Sequence, residues 1–412
     1  MYILHHIKPF KSHNSKIVRG IKITEQYDFV LLANSYSSKF AKRVAHYLDH
    51  HPNKLNFKLD TITDNFYPDG SRFTQLGSSV RGNKVFILHN YLVGKPDQTN
   101  YDLFLIADAL KRASEEGFIL CPTYFTSRGD KKDEGRVPIP AKLYADLIQS
   151  SSGNNLKRFM TCHMHADQLQ GFFDVPVDNL QALPLFGWYI KKRLFKKFYE
   201  QGTQSQHLAV LSPDEGSSKL AKAAASYLGV PLARRGKERD KFTDSSGEVK
   251  SEELNIGFNI EGRHILVFDD QMDTGGTLIS STKDLKETYG ASSVWFLPTH
   301  LVASPKESPG QPLTAEEKLQ NASSKPKLIT TDTVYRSDEY IKQNSSWLHC
   351  VLSMAPFFGE TIYRQINAMS VSIMYNKPEI FESILDQAFT EENFNYYNRE
   401  SSQSELTKFL DT

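Results

Sequence analysis

His264-Ile265-Leu266-Val267-Phe268-Asp269-Asp270-Gln271-Met272-Asp273-Thr274-Gly275-Gly276-Thr277 is the stretch from which the rest of the chain can be read. A short apolar run ends in two carboxylates and passes through Thr-Gly-Gly-Thr into a helical pattern. That order predicts a strand over His264 to Phe268 delivering its C-terminal end to a phosphate held at a helix N-terminus. Gly275 and Gly276 can take positive φ and let backbone amides approach the phosphate, while Thr274 and Thr277 add hydroxyl donors. Asp269 and Asp270 stand one sugar away, suited to the vicinal hydroxyls of a ribose. Asp273 falls near the anomeric carbon and can hold the second shell of a metal ion. An ordinary strand-to-helix turn with acidic capping residues would explain one Asp and one Gly, but not the whole string. The expected ligand is a ribose 5-phosphate moiety.

Bulk properties frame that reading. At 412 residues the chain exceeds the length at which one core stops growing, so two domains are expected. With 39 % hydrophobic residues and a formal net charge of +1, disorder is disfavoured, and so is a strongly electrostatic partner such as nucleic acid. Cys121, Cys162 and Cys350 are widely spaced and form no Cys-x-x-Cys pair, which suggests reduced, inert thiols in a cytosolic setting. No run approaches the roughly 18 apolar residues of a membrane span, and the start lacks a signal-peptide architecture. No membrane partner and a cytoplasmic location are expected.

Short apolar runs alternate with helical patterns, the rhythm of a parallel α/β protein. Strands are expected at residues 29–33, 84–89, 118–121, 159–162, 208–212, 264–268, 293–297 and 327–330. Helices are expected at 37–48 and 218–228, the second ending at Gly229 like a capped helix. In both places a strand, a Ser-rich turn and a helix ending near Tyr-Leu follow one another, so two copies of one α/β unit are expected, divided near residues 181–185. Ser304 to Lys325, rich in Ser, Pro, Lys and Glu, reads as a mobile insertion, and the chain after Asn376 as a polar, peripheral tail.

Three further constellations stand out. Arg128-Gly129-Asp130-Lys131-Lys132-Asp133 alternates cations and carboxylates in a loop able to hold a polyphosphate chain and its metal. His163 and His165 stand at a strand end. Ser212-Pro213-Asp214 opens another strand-to-helix turn with a carboxylate, without the ending of a P-loop. Taken alone, the charge run reads as solvated surface and a single His as a hydrogen-bonded structural residue.

Together with Gly236-Lys237-Glu238-Arg239 before the Asp-Asp loop, and with Ser79-Val80-Arg81-Gly82 and Thr331-Asp332-Thr333, this order resembles the ribose-phosphate pyrophosphokinase family over about residues 31–372. The resemblance implies two tandem type I phosphoribosyltransferase-like domains, each a central, mostly parallel sheet flanked by helices. They would span 1–183 on the ATP side and 184–350 on the ribose 5-phosphate side, the latter carrying the 304–325 insertion. Residues 351–412 would be a helical segment and tail packing back on the first domain.

It further implies transfer of the β,γ-diphosphoryl group of ATP to the anomeric hydroxyl of ribose 5-phosphate, with Mg2+ as cofactor and inorganic phosphate as an activator. Lys237, Arg239 and His165 would be catalytic, and His165 and Asp214 would place the metal. Phe66, Asp69, Arg128 and Asp130 would contact ATP. Asp269, Asp270, Asp273, Thr274, Gly275, Gly276 and Thr277 would hold ribose 5-phosphate. A dimer-based homo-oligomer, up to a hexamer, is implied as well. The chain departs from the family pattern where Asn65 to Ser71 has an extra residue and Ser in place of Glu, where Gly129 stands for Gln, and where His163 stands for Asp. Two other readings stay open: a pyrophosphokinase with a larger acceptor such as ADP-ribose, and a non-catalytic regulatory homologue.

Overall fold

The computed structural model describes residues 17–18, 21–22, 27–132, 134–213, 216–235, 254–255, 258–304 and 313–400. A short ribbon, β1 (Ile17–Val18) paired antiparallel with β2 (Ile21–Lys22), precedes two large sheets. The first holds β3 (Phe29–Ala33), β4 (Phe57–Phe66), β5 (Arg72–Leu76), β6 (Lys84–His89), β7 (Phe118–Pro122), β8 (Leu156–Cys162) and β9 (Val177–Leu180), in the order β5-β4-β3-β6-β7-β8-β9. The second holds β10 (Leu208–Ser212), β11 (Leu232–Arg235), β12 (Leu254–Asn255), β13 (His264–Met272), β14 (Ser293–Leu301), β15 (Lys327–Thr331), β16 (Leu348–Leu352) and β17 (Arg399–Glu400). Its order is β12-β11-β10-β13-β14-β15-β16-β17. The β4–β5, β11–β12 and β16–β17 pairs are antiparallel, and the rest of both sheets is parallel.

The second order repeats the first with β17 added at one edge. Thus β10 corresponds to β3, β13 to β6, β14 to β7 and β15 to β8. The central strands are continuous buried runs because helices cover both faces of a parallel sheet. Helix Ser38–Asp49 buries Phe40, Val44, Tyr47 and Leu48 on the apolar stripe that its spacing predicts. It packs on helix Ala355–Ile366, with the rings of Phe40 and Phe358 5.2 Å apart and the Tyr47 hydroxyl donating to Glu360 at 2.8 Å.

Two segments are more ordered than their composition suggests. Within the expected insertion, Ala315–Asn321 is a helix closed by a Thr314–Glu317 capping box, with Ala315 and Leu319 buried. After Asn376, helices Pro378–Ala388 and Phe394–Tyr397 bury Phe381, Leu385, Phe389, Phe394 and Tyr397. Aromatic residues carry this part of the core, and among its polar residues Asn398 is buried as well. All three cysteines are buried and unpaired, and burial pushes their thiols well above the usual range. Among the described residues no helix is long and apolar enough to cross a membrane.

The two sheets meet at the C-terminal ends of their strands. Tyr91, just after β6, bridges to Val334 just after β15. Asn90 donates its side-chain amide to the Asp332 carbonyl at 3.1 Å, and the Thr123 hydroxyl donates to the Thr333 carbonyl at 2.6 Å. Ligands of parallel α/β sheets bind outside these strand ends, so the junction is where a site is expected.

Candidate active site

Strand β13 runs on to Met272, four residues beyond its expected end, because Gln271 and Met272 keep pairing with His300 and Leu301 of β14. The carboxylates Asp269 and Asp270 therefore lie inside the strand and are held by its ladder. Helix Gly276–Glu287 follows, with Gly275 at its N-cap in the left-handed region, φ 72°. Of the two glycines only Gly275 needs that conformation. Beneath it, a side chain added at Gly275 would meet Leu319 at 3.5 Å, so the Ala315–Asn321 helix supports the loop. A cavity of about 250 Å³ opens over this turn, lined by Arg128, Pro213 and the strand and loop from Asp269 to Thr277.

The first domain reaches into the same place. His165, three residues past β8, hydrogen-bonds through Nδ1 to Asp270 Oδ2 at 2.6 Å. That bond raises the His165 pKa. Burial pushes the Asp270 carboxyl up, but the hydrogen bond from His165 and the nearby histidine charges outweigh it and hold Asp270 well below the usual carboxylate range. Arg128 Nη2 lies 3.5 Å from Asp273 Oδ2, while Asp273 Oδ1 is buried with no hydrogen-bond partner among the described residues. Asp130 accepts from Gln168, so the loop after β7 is tied to the loop after β8.

The expected residues divide into three sets. Asp269, Asp270, Asp273, Thr274, Gly275, Gly276, Thr277, Arg128 and His165 come together around the cavity, and Asp130 stands beside them. Phe66 and Asp69 do not join them within one chain. They sit at the β4–β5 turn on the far edge of the first sheet, where Phe66 is 58 % exposed and lies under the Arg72 guanidinium. Asp69 closes that turn by accepting from the Ser71 amide at 2.9 Å. Asp214, Lys237 and Arg239 lie outside the described residues.

Residues that sequence reasoning passed over are Gln271, which accepts from the Tyr124 hydroxyl at 2.9 Å, and His300, fully buried beside the His163 turn. One signal was available. Pro122-Thr123-Tyr124 and Pro298-Thr299-His300 end corresponding strands of the repeat.

The model of the N-terminal domain of ribose phosphate pyrophosphokinase matches residues 29–152, and that of the phosphoribosyl transferase domain matches residues 176–309. The ribose-phosphate pyrophosphokinase of Thermosipho africanus is 34 % identical over 312 residues, 76 % of this chain and 88 % of that one. The chain belongs to the ribose-phosphate pyrophosphokinase family. Within that family the Campylobacter jejuni protein is 32 % identical over 348 residues, covering 84 % of this chain and 99 % of its own. Among solved structures, the phosphoribosylpyrophosphate synthetase of Mycobacterium smegmatis superposes with a TM-score of 0.64 at 28 % identity, covering 82 % of this chain and 99 % of that one. Family membership and the doubled sheet order agree on two phosphoribosyltransferase-like halves.

Proposed function

We propose that this chain is an enzyme that transfers the β,γ-diphosphoryl group of ATP to the anomeric hydroxyl of ribose 5-phosphate, giving phosphoribosyl diphosphate and AMP. The observation that carries the reading is the phosphate cradle after β13 with His165 of the other half hydrogen-bonded into it. In this reading the amides of Gly275 to Thr277 and the hydroxyls of Thr274 and Thr277 hold the 5-phosphate at a helix N-terminus. Asp269 and Asp270 accept from the ribose hydroxyls, and Asp273 stands toward the anomeric carbon. Arg128 and Asp130 meet ATP. Phe66 and Asp69, exposed at a hairpin, meet the adenine of a neighbouring copy in a dimer-based homo-oligomer. Lys237 and Arg239 close over the diphosphoryl group.

Phosphoryl transfer asks chiefly for positioning and charge neutralisation, so no protein nucleophile is required. Mg2+ fits the donors present: the orphaned Asp273 Oδ1 is a hard oxygen, and donation of His165 Nδ1–H to Asp270 leaves the lone pair on Nε2 for a ligand. Asp214 would complete such a site. When bound, the ion neutralises phosphate charge and orients the chain of phosphates. The proposal includes a division of the two halves near residue 183, a cytoplasmic location and activation by inorganic phosphate.

Incubation of the purified protein with ATP, Mg2+ and either ribose 5-phosphate or ADP-ribose, followed by mass spectrometry, tests it. AMP and phosphoribosyl diphosphate are expected with ribose 5-phosphate. No AMP with either acceptor would identify a non-catalytic homologue, and AMP with ADP-ribose alone would change the acceptor. Lys237→Ala and Arg239→Ala are each expected to lower kcat by about 10²-fold or more with the fold intact.

A further inference from the structure

His163 is a non-glycine residue in the left-handed region, φ 42°, a conformation that costs on the order of 1 kcal/mol and persists only where its surroundings fix it. Three contacts do so. Its amide donates to the Leu180 carbonyl at 2.7 Å, its ring meets the Thr299 hydroxyl, and its carbonyl faces His300 Nε2 at 3.1 Å. His300 Nε2 is also 3.1 Å from the Cys162 carbonyl. Carbonyl oxygens only accept, so Nε2 carries the proton and the Thr333 hydroxyl, 2.8 Å from Nδ1, completes the ring's bonding. His300 is fully buried and lies on the second half, whereas the turn that it holds belongs to the first. Two residues beyond that turn, His165 leaves toward Asp270.

Tyr124 stands where His300 stands in the other copy of the repeat, after Pro122-Thr123 at the end of β7. The two rings touch, with centroids 4.5 Å apart. Tyr124 reaches the opposite way: its hydroxyl crosses from the first half to Gln271, the neighbour of Asp270 in β13. From these two crossings we infer that His300 and Tyr124 are a reciprocal pair of positioning residues, each half fixing the segment through which the other enters the site: His300 the His163–His165 turn, Tyr124 the Asp270–Gln271 strand end. Neither is asked to touch substrate. Together they set the His165–Asp270 distance on which the transfer geometry depends. The inference rests on the diphosphoryl-transfer reading for its consequence and on hydrogen-bond geometry for its content.

The test compares His300→Leu, which keeps bulk and removes the donor, with His300→Gln, whose side-chain amide can reach the same carbonyls, and with Tyr124→Phe. For His300→Leu, kcat is expected to fall about tenfold or more and half-saturating Mg2+ to rise severalfold, since misplacement of ~1 Å costs up to about 10²-fold. His300→Gln is expected to recover most of both. Without any ligand, amide exchange of residues 159–166, read by mass spectrometry, should quicken in His300→Leu and not in His300→Gln. A His300→Leu protein that melts earlier yet keeps wild-type kcat, Mg2+ dependence and local exchange would overturn the inference and leave a packing role. If that variant does not fold, Tyr124→Phe decides. A several-fold loss of kcat at an unchanged melting temperature supports the pair, and wild-type kcat refutes it. Absence of AMP formation by the wild type would instead strike the proposed reaction, while the exchange comparison still reads the brace.

Discussion

The loop after β13 and the loop after β6 occupy the same place in the two copies of the fold and have opposite occupations. After β13 come Asp273-Thr274-Gly275-Gly276-Thr277, whose polar groups turn toward an open cavity, and Asp273 Oδ1 has no partner among the described residues. After β6 come Asn90-Tyr91-Leu92-Val93-Gly94-Lys95, and here the polar groups are taken up by protein, some by the first half itself and some by the other half. Asn90 bonds the Asp332 carbonyl, and Tyr91 both bridges to Val334 and accepts from the Tyr335 amide at 3.3 Å. Each loop keeps one glycine at positive φ, Gly275 at 72° and Gly94 at 74°. A left-handed glycine ahead of the helix is thus common to both, as the N-cap itself in one and just before the N-cap Lys95 in the other, while the side chains of one face a cavity and those of the other meet the neighbouring half. The halves are joined both at the β6 loop and beside the cavity, where His165 meets Asp270 and Tyr124 meets Gln271.

Acidity should expose the largest difference between the halves. Burial pushes His264, His300 and His349 of the second sheet down to about 4, 3 and 4 and His89 of the first down to about 4, and it also lowers His163 and His46 of the first half. A histidine kept neutral in the folded state takes up its proton only on unfolding, so stability is lost as pH falls below the unfolded value near 6.5. Asp64, in the first half, is pushed up to about 6, by burial and then by the charge of Asp102. Its sign is opposite, because the folded state binds that proton first and gains as pH falls from about 6 toward 3.8. Integrated from the unfolded value, each such histidine costs about 1 kcal/mol between pH ~6.5 and ~5.5, so the second half should lose about 3 kcal/mol, and the first less because the Asp64 gain offsets part of its histidine loss. Amide exchange at the two pH values measures this, and equal loss in both sheets would break the asymmetry.

Substitutions in the two loops sharpen the comparison further. Asp269→Asn, at a group assigned to the ribose hydroxyls, is expected to lower kcat/KM for ribose 5-phosphate about 10²-fold with little change in melting temperature. Asn90→Ala should do the reverse. It removes the amide that meets the buried Asp332 carbonyl, so about 1–3 kcal/mol of stability is lost in denaturant titration while KM for ribose 5-phosphate stays put. Gly94→Ala is the smallest: about 1 kcal/mol of stability for an alanine forced to positive φ, with KM again unmoved. A rise in KM from either change would mean that the β6 loop also serves substrate.

Legibility in the sequence followed locality. Strands β3, β6 and β10 are built on continuous apolar runs, Phe29 to Ala33, Val85 to Leu88 and Leu208 to Leu211, and their ends were readable to the residue. The β4–β5 hairpin was not, because Phe57–Phe66 interleaves Lys58, Asp60, Asp64 and Asn65 along a partly exposed strand one place in from the sheet edge. Strand β13 was cut short since two successive carboxylates look like an exit from the sheet, and only its pairing with His300 and Leu301 explains why the ladder goes on. In the site, the grouping of Asp269 to Thr277 around one cavity was legible because these are nine consecutive residues of one strand end and loop. The contact of His300 with Cys162 joins residues 138 apart in sequence, and nothing short of two sheets meeting end to end brings them together.

The two residues of β17 have a consequence for how molecules of this protein meet one another. Strand β16 is buried along its whole length, and β17 pairs with it through Cys350 and Val351. An uncovered β16 would offer unpaired amides and carbonyls as a template for a strand from a second molecule. Glu400 is fastened by the Tyr189 hydroxyl at 2.7 Å, so this cover is latched from the helix Leu183–Tyr189. The last described turn of the chain is therefore insulation: it keeps a continuous sheet from growing beyond the molecule, and a chain shortened before Arg399 should self-associate through that edge.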